Sequence, residues 1–282
     1  MLVQGDPELS LSNRYQYWGL TRDESITDRA DDHWAGVKFV SPILKFDQNQ
    51  TWRTDVTSMF SPIGIKWTFR PNESCGTHVH ISPRNGWDMR SLGASAKAII
   101  FFEDAIFGIL PHYRAASVYC KQNYLAIGGF TRKTEAWSEN ACRDIDELKR
   151  LMNPTRKKYL LIGPHSLPYS RYFAWNYTTV DSIHTVEFRA PPEVDNAEDC
   201  RSWVEFAINF VNAAIQAGSS GPSETDYGEE VRGLYEFLKS GYMNGYSELG
   251  SWRRLLCKGM APSSSGEIGG VERANGINVV PT

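Results

Sequence analysis

Gly76-Thr77-His78-Val79-His80-Ile81-Ser82 is the stretch on which the fold turns. Its apolar residues, Val79 and Ile81, alternate with two imidazoles, His78 and His80. A period of two is that of a strand with one face in a core. The same alternation returns in Thr185-Val186-Glu187-Phe188-Arg189-Ala190-Pro191, where Val186 and Phe188 take one side and Glu187 and Arg189 the other. If the two strands belong to one sheet, two imidazoles, a carboxylate and a guanidinium line one concave surface.

Working outward, Val37 to Leu44 is a β-branched run that stops at Ser41-Pro42, as a strand end does. Ile63 to Phe69 (IGIKWTF) alternates like a further strand, and the polar segment Leu9 to Asp32 reads as loop with at most one short strand. From Asp88 to about Tyr113 the period changes to that of a helix, with Leu92, Ile99, Phe102 and Ile106 on one face and Pro111 as its stop. Further helices are expected over Arg143 to Met152, Asp199 to Ala217 and Glu229 to Lys239. Arg171 to Pro191 reads as two strands joined by a turn at Asp181-Ser182. Strands, a long helix, strands and then helices exclude regular βαβ alternation, so the fold class is α+β with a mainly antiparallel sheet. Residues 1–257 read as one domain, and the Ser- and Gly-containing stretch 258–282 as a disordered tail.

The 282 residues carry 30 Lys+Arg against 33 Asp+Glu, a net charge of −3, so no long-range field draws the chain to nucleic acid or an anionic membrane. An aromatic content of 12% argues against disorder over most of the length. No run is apolar enough to span a bilayer, and the start at Met1-Leu2-Val3-Gln4 does not read as a secretory signal. The five cysteines are scattered, odd in number and without a CxxC pair, which speaks against a disulfide framework and for a cytoplasmic setting.

Each motif has an ordinary reading beside the chemical one. A lone HxH is most often an exposed strand face, and a lone ExR a salt bridge. HxH also opens a cupin metal site, but that pattern needs a Glu where Arg84 stands. Gly128-Gly129 is a turn signal without the GxxxxGK that would make it a phosphate loop, and no Ser sits in a GxSxG elbow. An unrelated metal-binding domain or hydrolase built on His78, His80 and Glu187 stays open at this point.

Taken together, Gly76-Thr77-His78-Val79-His80-Ile81-Ser82, Arg171-Tyr172-Phe173-Ala174-Trp175-Asn176 and Thr185-Val186-Glu187-Phe188-Arg189 resemble the amidoligase family of glutamine synthetase-like carboxylate–amine ligases. Gly36-Val37-Lys38-Phe39-Val40-Ser41-Pro42-Ile43-Leu44 resembles its GVExVSPxL signature, and Asp23-Glu24-Ser25 the DxS segment that precedes it. The resemblance covers about Tyr17 to Ala217, with the motifs in order. It implies a curved, mainly antiparallel sheet with helices on its convex face. It also implies a reaction in which ATP phosphorylates a small-molecule or peptide carboxylate and an amine donor displaces the phosphate. Carried over by position, His78, Glu187 and Asp23 would hold Mg²⁺ or Mn²⁺, and His80 would contact a phosphate. Arg189 would stabilise charge on the transferred phosphoryl group, and Arg171 and Asn176 would lie near the nucleotide. Neither nucleic acid nor membrane is an implied partner, and the oligomeric state is left open.

Two departures bear on activity. The family's GxExE strand has no counterpart in the 22 residues before Asp23, so the first strand reads as missing; the signature Glu is Lys38 here. An ammonium among divalent cations repels where a carboxylate attracts, which leads us to expect weak or absent ligase activity. The alternative that follows is an inactive relative that binds nucleotide, peptide or a partner protein.

Overall fold

The computed structural model describes residues 2–3, 15–23, 25–26, 36–47, 49–66, 72–124, 142–155, 169–242 and 250–257. In a first small sheet, β1 (Leu2–Val3) runs parallel to β2 (Gly19–Arg22), and β2 pairs antiparallel with β3 (Val37–Val40). Helix α1 (Thr51–Lys66) follows. A second sheet has the order β4 (Val79–Ile81), β6 (Val186–Phe188), β5 (Trp175–Asn176), antiparallel throughout. Between β4 and β5 come α2 (Met89–Gly108), the single turn α3 (His112–Ala115) and α4 (Ile145–Met152). Another single turn, α5 (Val180–Ile183), joins β5 to β6, and α6 (Ala197–Ala217), α7 (Val231–Ser240) and α8 (Arg253–Leu256) complete the described chain. The fold is α+β, with small and mainly antiparallel sheets.

The core lies between the second sheet and α6. Phe188 stacks on Trp175 at 4.3 Å and on Phe206 at 5.7 Å, while Trp175 stacks on Phe210 at 5.3 Å. Phe102 of α2 and Phe237 of α7 close the other side, 4.8 Å apart. Each of these buried rings contributes about 2–3 kcal/mol of transfer free energy. This packing turns the apolar sides of β4 and β6 inward and leaves their opposite sides to carry polar groups.

Local chemistry sets the helix starts. Asp88 accepts from Ser91 N at 2.7 Å and its own N–H donates to Ser91 Oγ, a reciprocal cap that satisfies two orphan donors of α2. Asp144 and Asn196 cap α4 and α6 through Glu147 N and Asp199 N, both at 2.8 Å.

Two expectations are corrected. The strand read over Ile63 to Phe69 is helical as far as Lys66, and residues 67–69 lie outside the described ones. The hold on α1 is tertiary: Trp52 and Val56 are buried, Arg53 pairs with Glu205 of α6, and Arg201 donates to Thr57. That hold outweighs the local pattern and the helix-breaking Pro62. The helix expected to reach Tyr113 ends at Gly108, because Pro111 has no N–H to continue it and instead opens the separate turn α3. The turn at Asp181-Ser182 is the helical turn α5, closed by His184 in the left-handed region at φ 57°. Residues 258–282 and Gly128-Gly129 lie outside the described residues. All five cysteines are free, and no described helix is long and apolar enough to cross a membrane.

Candidate functional site

Sheet register builds the site. In the antiparallel pair β4–β6, His80 stands opposite Glu187, and in β5–β6 Asn176 stands opposite the same Glu187. Val79, Ile81, Val186 and Phe188 are buried on the core side. Period-two alternation therefore forces His80, Glu187 and Asn176 onto the other face. His78 and Arg189, each two residues from a strand position on that face, join them.

Glu187 is the hub. Its residue is only 3% exposed, and a carboxylate so deeply placed must be neutralised and hydrogen-bonded. Arg189 Nη1 donates to Oε1 at 2.9 Å and Asn176 Nδ2 to Oε2 at 2.7 Å. His78 Nδ1 lies 3.0 Å and His80 Nε2 3.5 Å from Oε1. The His78 separation is an ion-pair distance without the direction of a hydrogen bond, so Nδ1 is buried and lacks a well-aimed partner. The other ring nitrogen of His80, Nδ1, is 3.0 Å from Thr185 Oγ1.

Burial alone would raise the Glu187 carboxyl. The two imidazoles and the Arg189 charge overcome it and hold the group well below the usual carboxylate range. Burial first, then the charges of Arg189 and Lys38, push the His78 imidazole down to about 4 against the pull of Glu187. His78 is thus a neutral imidazole at neutral pH.

Asp23 follows β2 and accepts from Ser25 N at 2.9 Å and Ser25 Oγ at 2.6 Å. Burial works to raise its carboxyl, but these bonds, with Lys38 and His78, hold it low. Lys38 projects from β3, opposite Thr21. It is near enough to act on both Asp23 and His78, so the first sheet contributes one carboxylate and one ammonium to the surroundings of the cluster. Arg171 is not brought in: it is exposed, its guanidinium 5.4 Å from the centroid of the Tyr172 ring.

Whether these residues suit a resident divalent cation follows from the donor set. The imidazoles and the guanidinium converge on Glu187 Oε1, so a carboxylate oxygen stands where the ligands of an ion would have to meet. Among the described residues no group of three His, Cys, Asp or Glu could hold a metal ion. Arg189 and Lys38 already supply the positive charge. The donor set does not fit a resident cation.

Three supporting groups carried no signal in the sequence. Asn123 is fully buried, donating from Nδ2 to the carbonyls of Met152 and Trp175, both at 2.8 Å, and accepting from Trp175 N at 3.0 Å. Asn153 accepts from Tyr177 N at 2.8 Å and donates to Trp175 O at 3.0 Å. These two amides occupy the free edge of β5 as a further strand would, and so fix Asn176. Arg114 is the third such group, bonded to backbone on both sides of the cluster.

Residues 6–211 match a family described as putative amidoligase enzyme. No curated protein and no solved structure matches the chain.

Proposed function

The chain belongs to the amidoligase family, and on that premise we propose a carboxylate–amine ligase relative that binds ATP and a carboxylate over Glu187 with weak or no turnover. Its sheet would be the curved glutamine synthetase-like one, with α6 on the convex side, and its setting the cytoplasm. ATP would arrive as its Mg²⁺ or Mn²⁺ complex, the ion being part of the substrate. In the family reaction the γ-phosphoryl group passes to a carboxylate oxygen of a small molecule or peptide, and an amine donor then displaces phosphate. Phosphoryl transfer of this kind depends on positioning and on neutralising the equatorial oxygens. His80, the more exposed imidazole, would meet a phosphate oxygen, and Arg189 would neutralise the transferred group.

The observation that carries the impaired reading is that Arg189 is already spent on Glu187 at 2.9 Å while Lys38 stands beside Asp23. A guanidinium bonded to an internal carboxylate has less to offer a transition state, and an ammonium at a carboxylate position weakens the hold on metal-complexed phosphates. The test is thermal stabilisation by Mg·ATP in the wild type, Glu187→Ala and Lys38→Glu, run beside an assay for ATP-dependent amide formation. We expect stabilisation of the wild type, its loss in Glu187→Ala, and a gain in Lys38→Glu. An unchanged ATP response in Glu187→Ala would show that the site is misplaced. Amide formation at the 1–100 s⁻¹ scale of roughly ordinary phosphoryl-transfer enzymes would refute the impairment.

A further inference from the structure

Beneath the cluster lies Arg114 of α3, 2% exposed. Nη2 donates to Arg189 O at 2.7 Å, Nη1 to Cys75 O at 3.1 Å and Nε to Ala190 O at 3.3 Å. The three carbonyls belong to two segments, one leading into β4 and one leaving β6. Among the described residues no carboxylate pairs with this guanidinium, so the bonds to it that are seen end on main-chain oxygens. Its fork is rigid and planar, and three bonds from it set the distance and the angle between the two segments together. Gly76 is shaped to admit it: a Cβ there would lie 2.7 Å from Nη2. One step further along, Thr77 N donates to Pro191 O at 3.3 Å and ties the same two segments.

We propose that Arg114 is a positioning residue for the Glu187 site. It pins the main chain of Arg189 and the approach to His78, so that guanidinium and imidazole arrive at Glu187 Oε1 together. Packing alone does not account for a buried fork whose shortest bond ends on the very residue that carries the cluster's guanidinium. The consequence for ligand binding rests on the function proposed above; the geometric role does not.

Three variants test it. Arg114→Met keeps the length and loses the fork, Arg114→Lys keeps the charge, and Gly76→Ala leaves Arg114 in place but crowds Nη2. Phe237→Leu, in the aromatic core against Phe102 and Phe210, controls for loss of stability. Two quantities are read in each: the ¹³C resonance of the Glu187 carboxyl carbon, and the Kd for ATP well below Tm. We expect Arg114→Met and Gly76→Ala to move the resonance and weaken ATP binding about tenfold or more, the scale for groups that orient ligand-binding side chains. Arg114→Lys should fall between, and Phe237→Leu should change neither at a comparable loss of Tm. An unmoved Glu187 resonance in folded Arg114→Met or Gly76→Ala overturns the proposal, whatever happens to Tm. If Arg114→Met does not fold, Gly76→Ala and Arg114→Lys decide it. If the wild type does not bind ATP, the proposed function fails, and the resonance alone decides the role of Arg114.

Discussion

His78 should make the stability of this protein depend on pH in a window where few other groups act. Its imidazole is pushed from the ordinary 6.5 down to about 4, so the folded protein refuses a proton that the unfolded chain accepts. A group depressed in this way contributes stability that is complete above the unfolded value and lost as pH falls toward the folded one. The shift spans about 2.5 units, worth roughly 3 kcal/mol in full at about 1.4 kcal/mol per unit. Integrated from pH 7 to pH 5, where only the unfolded chain binds the proton, it is about 2 kcal/mol. The side chain is 20% exposed, which trims the effect without removing it. The assay is urea unfolding at both pH values in EDTA, for wild type and His78→Asn. The wild type should lose about 2 kcal/mol more than the variant between the two. Lys38→Glu, which turns a depressing charge into a raising one, should shrink that difference. Equal losses in wild type and His78→Asn would mean that His78 is not held neutral, and the charge reasoning at the site would fall with it.

Five other outcomes are expected. Asn123→Ala strips the partners from Trp175 N–H and Met152 C=O and should cost about 3 kcal/mol in guanidinium unfolding. Gly241→Ala sets a Cβ 2.0 Å from the Asn209 carbonyl oxygen, backbone against backbone, and should cost about 3 kcal/mol. Gly108→Ala, with nothing within 4 Å, should stabilise by about 0.5 kcal/mol in the same assay. In a thiol titration the exposed Cys257 should react first, while Cys120, buried and with its thiol pushed up, should wait for unfolding. Adding 10 mM Mg²⁺ without nucleotide should stabilise by no more than about 0.4 kcal/mol, the value for a Kd of 10 mM; a gain near 2.7 kcal/mol would reveal a resident cation site.

Much of the site was legible because strands repeat every two residues. Val79 and Ile81 against His78 and His80, and Val186 and Phe188 against Glu187 and Arg189, are face assignments that the register of β4 and β6 bears out. What the pattern could not give was distance between segments. The bonds of Arg114 to Cys75 and Arg189, and of Asn123 to Trp175, join positions far apart in the chain, and nothing local marks them. Arg171 shows the converse. It is close to Asn176 in sequence, yet its guanidinium turns out over Tyr172. Helix α1 was missed because its hold comes from α6, through Glu205 and Arg201, against a sequence that contains Pro62.

The charges around Glu187 explain why this cluster can fold with its own cations alone. Two carboxylates, Glu187 and Asp23, are met by two permanent cations, Arg189 and Lys38, and the imidazole between them is held neutral. A site of unmatched carboxylates would repel itself in the folded state and draw stability from any divalent ion. Here the repulsion is already answered by side chains, one of them two residues from Glu187 and the other on a neighbouring sheet. A metal ion would have to displace Arg189 from Oε1 and tolerate Lys38, and neither step is repaid by a third ligand among the described residues. The same matching that stabilises the cluster therefore lowers its hold on a metal-bound phosphate. Lys38→Glu is the change that should move both properties together, lowering stability without metal while raising the response to Mg·ATP.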